Sequence, residues 1–431
     1  MKKRKLVVIS NDALVTEDID YLKTKPVFKE LMDKGTWVKK VRTIYPSLTY
    51  PCHTAMITGC FPDKTNLYNN ERDEWGNSSW VWERKYNHAK TIIDAAKEKG
   101  LTTANVFWPV LGNDPNIDFN IPEYWSQTDD EPLTDALKSM GSSDKVIKEI
   151  VEPNLYYIDG HQRVHPYCDE FVFACARDMI LKYQPDVLFV HPGGIDGLRH
   201  QKGLFNEYVT EQLDYTYYWI EKIVRAIKEV GEWENTDFIL ASDHGQMDIT
   251  RWCHPNILLA NAGLIKLDKD NNTLEARAYI KAVGGSAQVF ITDPNDKEAY
   301  DLTYKVFSDA VKSGLYGFER IYTREECQKE ERLSGDFAFV LESEPRTAFG
   351  WEPFGPYYTS YDLSDYRTGR ATHGYLPHKG PQPSMIMIGP DFKEGAVIEN
   401  CHNVDIAPTV AHLFDLDMPD VDGKVLKEAL K

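Results

Sequence analysis

Short apolar runs closed by turn residues alternate with amphipathic stretches along most of this chain. Residues 6–10 form a brief, β-branched run ended by Asn11 and Asp12, which predicts a buried strand. Runs at 37–41, 103–107, 186–190, 237–241 and 384–388 predict further strands. Between them, 26–34, 91–99, 167–183 and 205–230 read as helices. The clearest is 205–230, where Val209, Leu213, Tyr217, Ile220, Val224 and Ile227 recur every three or four residues and Gly231 stops the pattern. A last helix is expected at 406–413. This alternation predicts an α/β fold, a mostly parallel sheet sandwiched between helices.

Two stretches break the rhythm. Residues 112–166 are polar and irregular, and read as loop or lid with one helix near 143–150. Beyond 264, the segments 274–279, 286–291 and 336–341 alternate with period two, as antiparallel strands do, around a helix at 297–313. The expected division is an α/β core of 1–262 and 363–431 with an inserted α+β subdomain of 263–362.

The stretch 43–59 is unlike the rest. Pro46 opens an irregular turn that delivers a hydroxyl, Thr49, and Pro51 suits the first turn of a short helix that Gly59 can cap. Thr49 therefore sits at a helix N-terminus, where unpaired N–H groups favour an anion. Read alone it is a capping residue. Three carboxylates change that reading. Asp12, Asp196 and Asp243 each follow a predicted strand, at the sheet edge where open α/β folds bind ligands. Asp196 and His200 lie four apart, Asp243 and His244 are adjacent, and His373-Gly374 precedes the last predicted core strand. Carboxylate with imidazole suits Zn²⁺, Mn²⁺ or Fe²⁺ rather than Ca²⁺. The six side chains are enough for two divalent ions, and two ions about 3.5–4 Å apart clamp the attacking and leaving oxygens of an in-line displacement. A cation also lowers the pKa of a coordinated oxygen, which would make Thr49 a nucleophile without a histidine partner.

Composition narrows the partners. With 49 basic and 67 acidic residues the net charge is −18, which counts against wrapping a nucleic-acid polymer but not against a small phosphoester. Seven cysteines, scattered without close pairs, fit reduced thiols. The basic residues 1–5 precede too short an apolar run for a signal peptide, and no run reaches a membrane span. The expectation is a cytoplasmic protein without a membrane partner; the sequence leaves its oligomeric state open.

The motifs Pro46-Ser47-Leu48-Thr49-Tyr50-Pro51-Cys52-His53, Thr58-Gly59, Pro62, Asn70, Phe107-Trp108-Pro109, Asp196-x3-His200, Asp243-His244-Gly245 and His373-Gly374-Tyr375 follow one another along nearly the whole chain. In that order they resemble the alkaline phosphatase superfamily, and within it the nucleotide pyrophosphatase/phosphodiesterase branch. The resemblance implies one metal site of Asp12, Thr49, Asp243 and His244 and another of Asp196, His200 and His373, zinc being the foremost metal. It implies attack by Thr49 on phosphorus, a covalent phospho-threonine, and release by water activated at the second metal. Asn70 and a backbone N–H would hold a non-bridging oxygen, and a neutral amide there suits a diester. Tyr50 would pack on a nucleobase, with Tyr124 or Trp125 on its other face, and Trp108 is expected in the same pocket. Arg199 stands where a glycine is common, and would meet either a substrate anion or an acidic neighbour. Lys64-Thr65-Asn66 and Cys52 also depart from the family pattern. Phosphonate hydrolysis, with Arg199 or Lys202 on a substrate carboxylate, is the main alternative; phosphomonoester hydrolysis and a non-catalytic metal-binding role follow. The partial sulfatase-like motif at Cys60 lacks its arginine. His191, His254 and His378 are expected to be structural or exposed, with His378 the chief rival of His373.

Overall fold

The computed structural model describes residues 3–72, 79–158, 160–363 and 369–431; the first two residues of the basic N-terminal run lie outside them. An eight-stranded sheet runs in the order Ala396–His402, Thr36–Arg42, Met385–Ile388, Thr236–Ala241, Lys5–Ser10, Val187–Val190, Thr103–Val106, Phe119–Ile121. Its neighbours are parallel except around Met385–Ile388, which is antiparallel to both of its own. Successive residues of Lys5–Ser10 explain the two covering layers. Val7 and Ile9 pack on helices Pro26–Lys34, Tyr167–Tyr183 and Glu207–Glu229, while Leu6 and Val8 face Thr49–Thr58, Ile92–Glu98 and Ile406–Phe414. The expected mostly parallel α/β sandwich is the fold observed.

Several elements depart from the sequence reading. The expected loop 112–166 contributes the edge strand Phe119–Ile121, the helix Leu133–Ser139 and a helical run from Asp144 to Asn154. Leu133, Leu137, Val146, Ile147, Ile150 and Val151 from this stretch join the core on one sheet face. The edge strand Ala396–His402 alternates exposed and half-buried positions and has no apolar run to betray it.

A second, antiparallel sheet runs Ala278–Ala282, Ser286–Ile291, Phe339–Ser343, Phe318–Thr323, with helices Lys297–Ser313 and Arg324–Glu331. The expected strand 274–279 is split: Thr273–Ala276 pairs with Ile265–Leu267 instead, in a separate ribbon. The core under this sheet also takes in Cys253 and Leu259, ahead of position 263. Tyr45 and Leu376 pack against its Phe290, Tyr322 and Val340, joining it to the Thr49 turn and the His373 loop. Among the described residues no helix is long and apolar enough to cross a membrane.

Candidate active site

Strand register brings the acidic loops abreast. Ile9 pairs with Val190 and Ser10 with Ala241, so the segments carrying Asp12, His191 and Asp243 leave the sheet side by side. Gly194–Lys202, a helix that its paired glycines and polar sequence concealed, places Asp196 and His200 one turn apart. The helix Thr49–Thr58 is buried along its length, ends on Gly59 in the left-handed conformation, and has Leu48 rather than Thr49 as its N-cap. Thr49 is thus its first residue. Its hydroxyl lies 3.1 Å from His244 Nε2.

Around that hydroxyl the six expected ligands converge. His244 Nε2 is 3.2 Å from Asp243 Oδ2 and 3.5 Å from Asp12 Oδ1. Asp196 lies 3.3 Å from His200 Nε2 and 3.9 Å from His373 Nε2. Asp196, His200 and His373 form one group able to hold a metal ion, and Asp12, Asp196 and His244 another, with ligand atoms inside 4.8 Å of each other. Asp196 belongs to both and stands between them.

The surroundings orient these groups as ligands. His200 Nδ1 hydrogen-bonds the Ala371 carbonyl at 2.8 Å, His373 Nδ1 that of Ser47 at 2.9 Å, and His244 Nδ1 that of Gly245 at 3.2 Å. A carbonyl can only accept, so each Nδ1 carries the proton and each Nε2 presents a lone pair to the cluster. Asp12 Oδ1 and Asp243 Oδ2 are buried without any hydrogen bond, which is unfavourable for a charged oxygen unless something cationic faces it.

The charges tell the same story. Burial, then Asp196, pushes the Asp12 carboxyl well above its ordinary range, and burial, then Asp12, does so for Asp243. Burial, then His373, pushes His244 well down, and burial lowers His373 to about 4. Burial opposes charge on Asp196 too, but His200, His373 and His244 outweigh it and hold that carboxyl well below the usual value. Burial thus disfavours negative charge on Asp12 and Asp243, and divalent cations would offset that cost. Orphaned oxygens, inward lone pairs and a mixed oxygen–nitrogen donor set all fit divalent cations of the zinc type.

Other side chains fix the cluster from behind. His53 is buried, hydrogen-bonds the Thr49 carbonyl at 2.8 Å and sits between Trp108 and His191. Gln246 Nε2 donates to both the carboxylate and the carbonyl of Asp196. His191, expected to be structural or exposed, instead lines the site and lies 3.1 Å from Asp12 Oδ2. His378, the rival of His373, is exposed, and His254 is bonded to Thr359. Asn70 Oδ1 accepts the Tyr50 N–H at 3.0 Å, which orients the amide.

A cleft of about 200 Å³ opens over the cluster. Thr49, Asn70 and His373 line it, with Tyr50, Trp80, Trp82, Phe107 and Trp125 forming an aromatic side. Three expected pocket residues lie elsewhere. Trp108 is fully buried between His53 and Phe189; Phe107 has φ +63°, so the backbone twists there and Phe107 takes the cleft position. Tyr124 packs edge-on against Trp82, leaving the cleft to Trp125. Arg199 is fully buried, paired with Asp18 at 2.6 Å and bonded to the Ala13 and Leu204 carbonyls, so it is committed to the fold rather than to a substrate. Glu123, Arg163 and His165 line the cleft without having been singled out in the sequence. They come from the stretch whose composition reads as loop, where nothing local marks a wall residue.

A family model described as type I phosphodiesterase / nucleotide pyrophosphatase matches residues 6–375. Human ectonucleotide pyrophosphatase/phosphodiesterase family member 1 is 30% identical over 107 residues, 23% of this chain and 11% of that protein. Human family member 5 is 21% identical over 429 residues, 96% of this chain and 75% of that protein. Among solved structures, murine ectonucleotide pyrophosphatase/phosphodiesterase 5 superposes with a TM-score of 0.69 at 17% identity, over 99% of this chain and 100% of that one. Its inactive threonine-to-alanine variant in complex with AMP gives a TM-score of 0.68 at 17% identity, over 100% of both chains. At such identities the superpositions speak for the fold.

Proposed function

The chain belongs to the type I phosphodiesterase / nucleotide pyrophosphatase family, and from that premise we propose that it hydrolyses a phosphodiester or pyrophosphate bond in a nucleotide-like small molecule. The observation that carries this reading is the Thr49 hydroxyl at a helix N-terminus, within a buried group of three carboxylates and three inward-facing imidazoles. Asp12, Thr49, Asp243 and His244 would hold one divalent cation and Asp196, His200 and His373 a second, zinc ahead of manganese or iron. Bound there, the cations supply positive charge that lets a hydroxyl or water shed its proton near neutral pH and offsets the charge of phosphoryl oxygens.

Thr49 Oγ1 attacks phosphorus in line. The Oγ1–P bond forms as the opposite P–O bond breaks, and the electron pair leaves with the departing alcohol or phosphate oxygen. Water then attacks the phospho-threonine, the P–Oγ1 bond breaks, and Thr49 recovers a proton. The Asn70 amide, held by Tyr50, donates to a non-bridging oxygen, and the N–H groups of the Thr49 helix add their partial charge. A single neutral amide matches a diester better than a dianionic monoester. The aromatic side of the cleft, which holds Trp125 and not Tyr124 of the two alternatives, suits a planar base. A structural neighbour in complex with AMP supports a nucleotide there.

Phosphonate hydrolysis loses the support it drew from Arg199, which is tied to Asp18, and Lys202 lies over the Tyr208 ring. A reducing, cytoplasmic location is supported by seven buried cysteines that form no disulfide. The test is turnover of thymidine-5′-p-nitrophenyl phosphate and bis-p-nitrophenyl phosphate against phosphonoacetate, before and after chelation. The diesters should turn over, EDTA should abolish the activity, and Zn²⁺ or Mn²⁺ should restore it. Turnover of phosphonoacetate alone would overturn the reading.

A further inference from the structure

We propose that the outer face of the helix Glu207–Glu229 is a docking surface for the same helix of a second copy of this chain, packed antiparallel in one register. The proposal is independent of the hydrolase reading, because the face uses none of the clustered carboxylates and imidazoles.

The inner face of this helix is accounted for. Val209, Leu213, Ile220, Ile223, Val224 and Ile227 pack into the core on one side of the large sheet. The opposite face of such a helix is ordinarily charged and polar. Here three tyrosines stand on it: Tyr208 is 49% exposed, Tyr215 37% and Tyr218 50%. With Glu211, Lys222 and Arg225 they recur at alternate spacings of three and four, the rhythm that seats one helix along another. Tyr156, also exposed, widens the aromatic surface: its ring lies 4.1 Å from that of Tyr157, which in turn meets Trp219 of the helix at 5.6 Å.

The stripe is complementary to itself. In a symmetric antiparallel pair with its two-fold axis beside the point midway between Thr216 and Tyr217, each residue faces its mirror position. Tyr215 then meets Tyr218 of the second copy, Glu211 meets Lys222, and Tyr208 meets Arg225. Every layer is a favourable contact: two rings, an ion pair, and a guanidinium on a ring. A parallel pair would instead set Glu211 on Glu211 and Lys222 on Lys222, so the charges choose the direction. Glu211 and Lys222 have no ion-pair partner among the described residues of their own chain. Lys222 lies over the Tyr218 ring at 4.6 Å and the Trp219 ring at 5.3 Å, which leaves its charge available. Arg225 is held only by Glu221 on its own helix, with its side chain 75% exposed. One helix seam about 35 Å long is a small interface, so dimer and monomer are expected in equilibrium.

Sedimentation velocity of the full chain between about 1 and 100 µM tests the pairing. The mean mass is expected to climb from that of a monomer towards that of a dimer across this range. Glu211→Lys and Lys222→Glu each oppose like charges in two symmetry-related layers, and each should weaken association at least about tenfold. Both lie on the outer face, and circular dichroism should show unchanged helix content. The double variant Glu211→Lys with Lys222→Glu restores opposite charges in the same register, and should associate within about threefold of wild type. That recovery separates a specific layer from a general loss of structure. Tyr215→Glu should leave a monomer throughout. A wild type that stays monomeric, association unmoved by either single substitution, or a double variant as weak as the singles overturns the proposal.

Discussion

Thr49 and Gln246 show how differently two residues of one site declare themselves. Thr49 stands in a turn that sequence alone marks as unusual, with a proline on either side and a helix behind it. Thr49→Ala is expected to lower diester turnover by at least about a thousandfold while keeping most of the bound metal and the melting temperature; steady-state assay with metal analysis checks this, and near-normal turnover would refute the assignment. Gln246 gives no such sign, yet its amide holds both oxygen types of Asp196. Gln246→Ala should weaken metal binding about 10–100-fold, the usual penalty for losing a partner of a metal ligand, measured by competition with a chromophoric chelator. The convergence of these carboxylates and imidazoles was legible because the two at strand ends have few other uses in combination. Arg199 was not, because its partner Asp18 lies 181 residues away and an arginine beside a histidine reads the same facing a substrate or the core.

Among the elements, apolar strands and amphipathic helices were readable, but direction and depth were not. Met385–Ile388 has the same composition whether parallel or antiparallel, and only pairing on both sides decides it. The second sheet was visible in its alternation, but not its grip on the site. Glu342 from that sheet is buried and bonded to the Tyr45 hydroxyl at 2.9 Å, the Leu376 N–H at 3.1 Å and Lys379 at 2.7 Å. It so ties down the segments that lead into Thr49 and out of His373. Burial, against the pull of Lys379, raises its carboxyl from 4.5 to about 7. A folded-state value above the unfolded one means the stability it confers is complete below about pH 4.5 and is lost as pH rises through 7. The loss is of order 3 kcal/mol. Denaturant unfolding at pH 5 and pH 8 should show the wild type losing that margin relative to Glu342→Gln; a constant difference between the two would contradict the shift. Gly374 marks the other end of the same tie. At φ +87°, with a Cβ only 1.9 Å from the Val283 carbonyl, it admits no side chain. Gly374→Ala should cost about 1–3 kcal/mol from conformation alone, plus the overlap, and should lower bound metal by turning His373 aside, as elemental analysis would reveal.

Over the whole molecule, the layered architecture followed from periodicity, whereas the packing of the four-stranded sheet on the Thr49 turn and the His373 loop through Tyr45 and Leu376 did not, since each is one aromatic or aliphatic residue in an irregular segment. Metal binding should report on the entire fold, because the candidate ligands come from loops distributed from Asp12 to His373. Cations at about a thousand times their dissociation constant would add about 4 kcal/mol. Chelation should therefore lower the melting temperature, and zinc should restore it in Thr49→Ala but not in Asp12→Asn; scanning calorimetry distinguishes these cases.

His373 reaches the centre only after the chain has traversed the whole second sheet. During synthesis Thr49 thus emerges long before His373, the last of the clustered imidazoles. A chain cut short anywhere in that detour would carry Thr49 yet lack His373, so the cluster cannot close until both layers of the fold have been made.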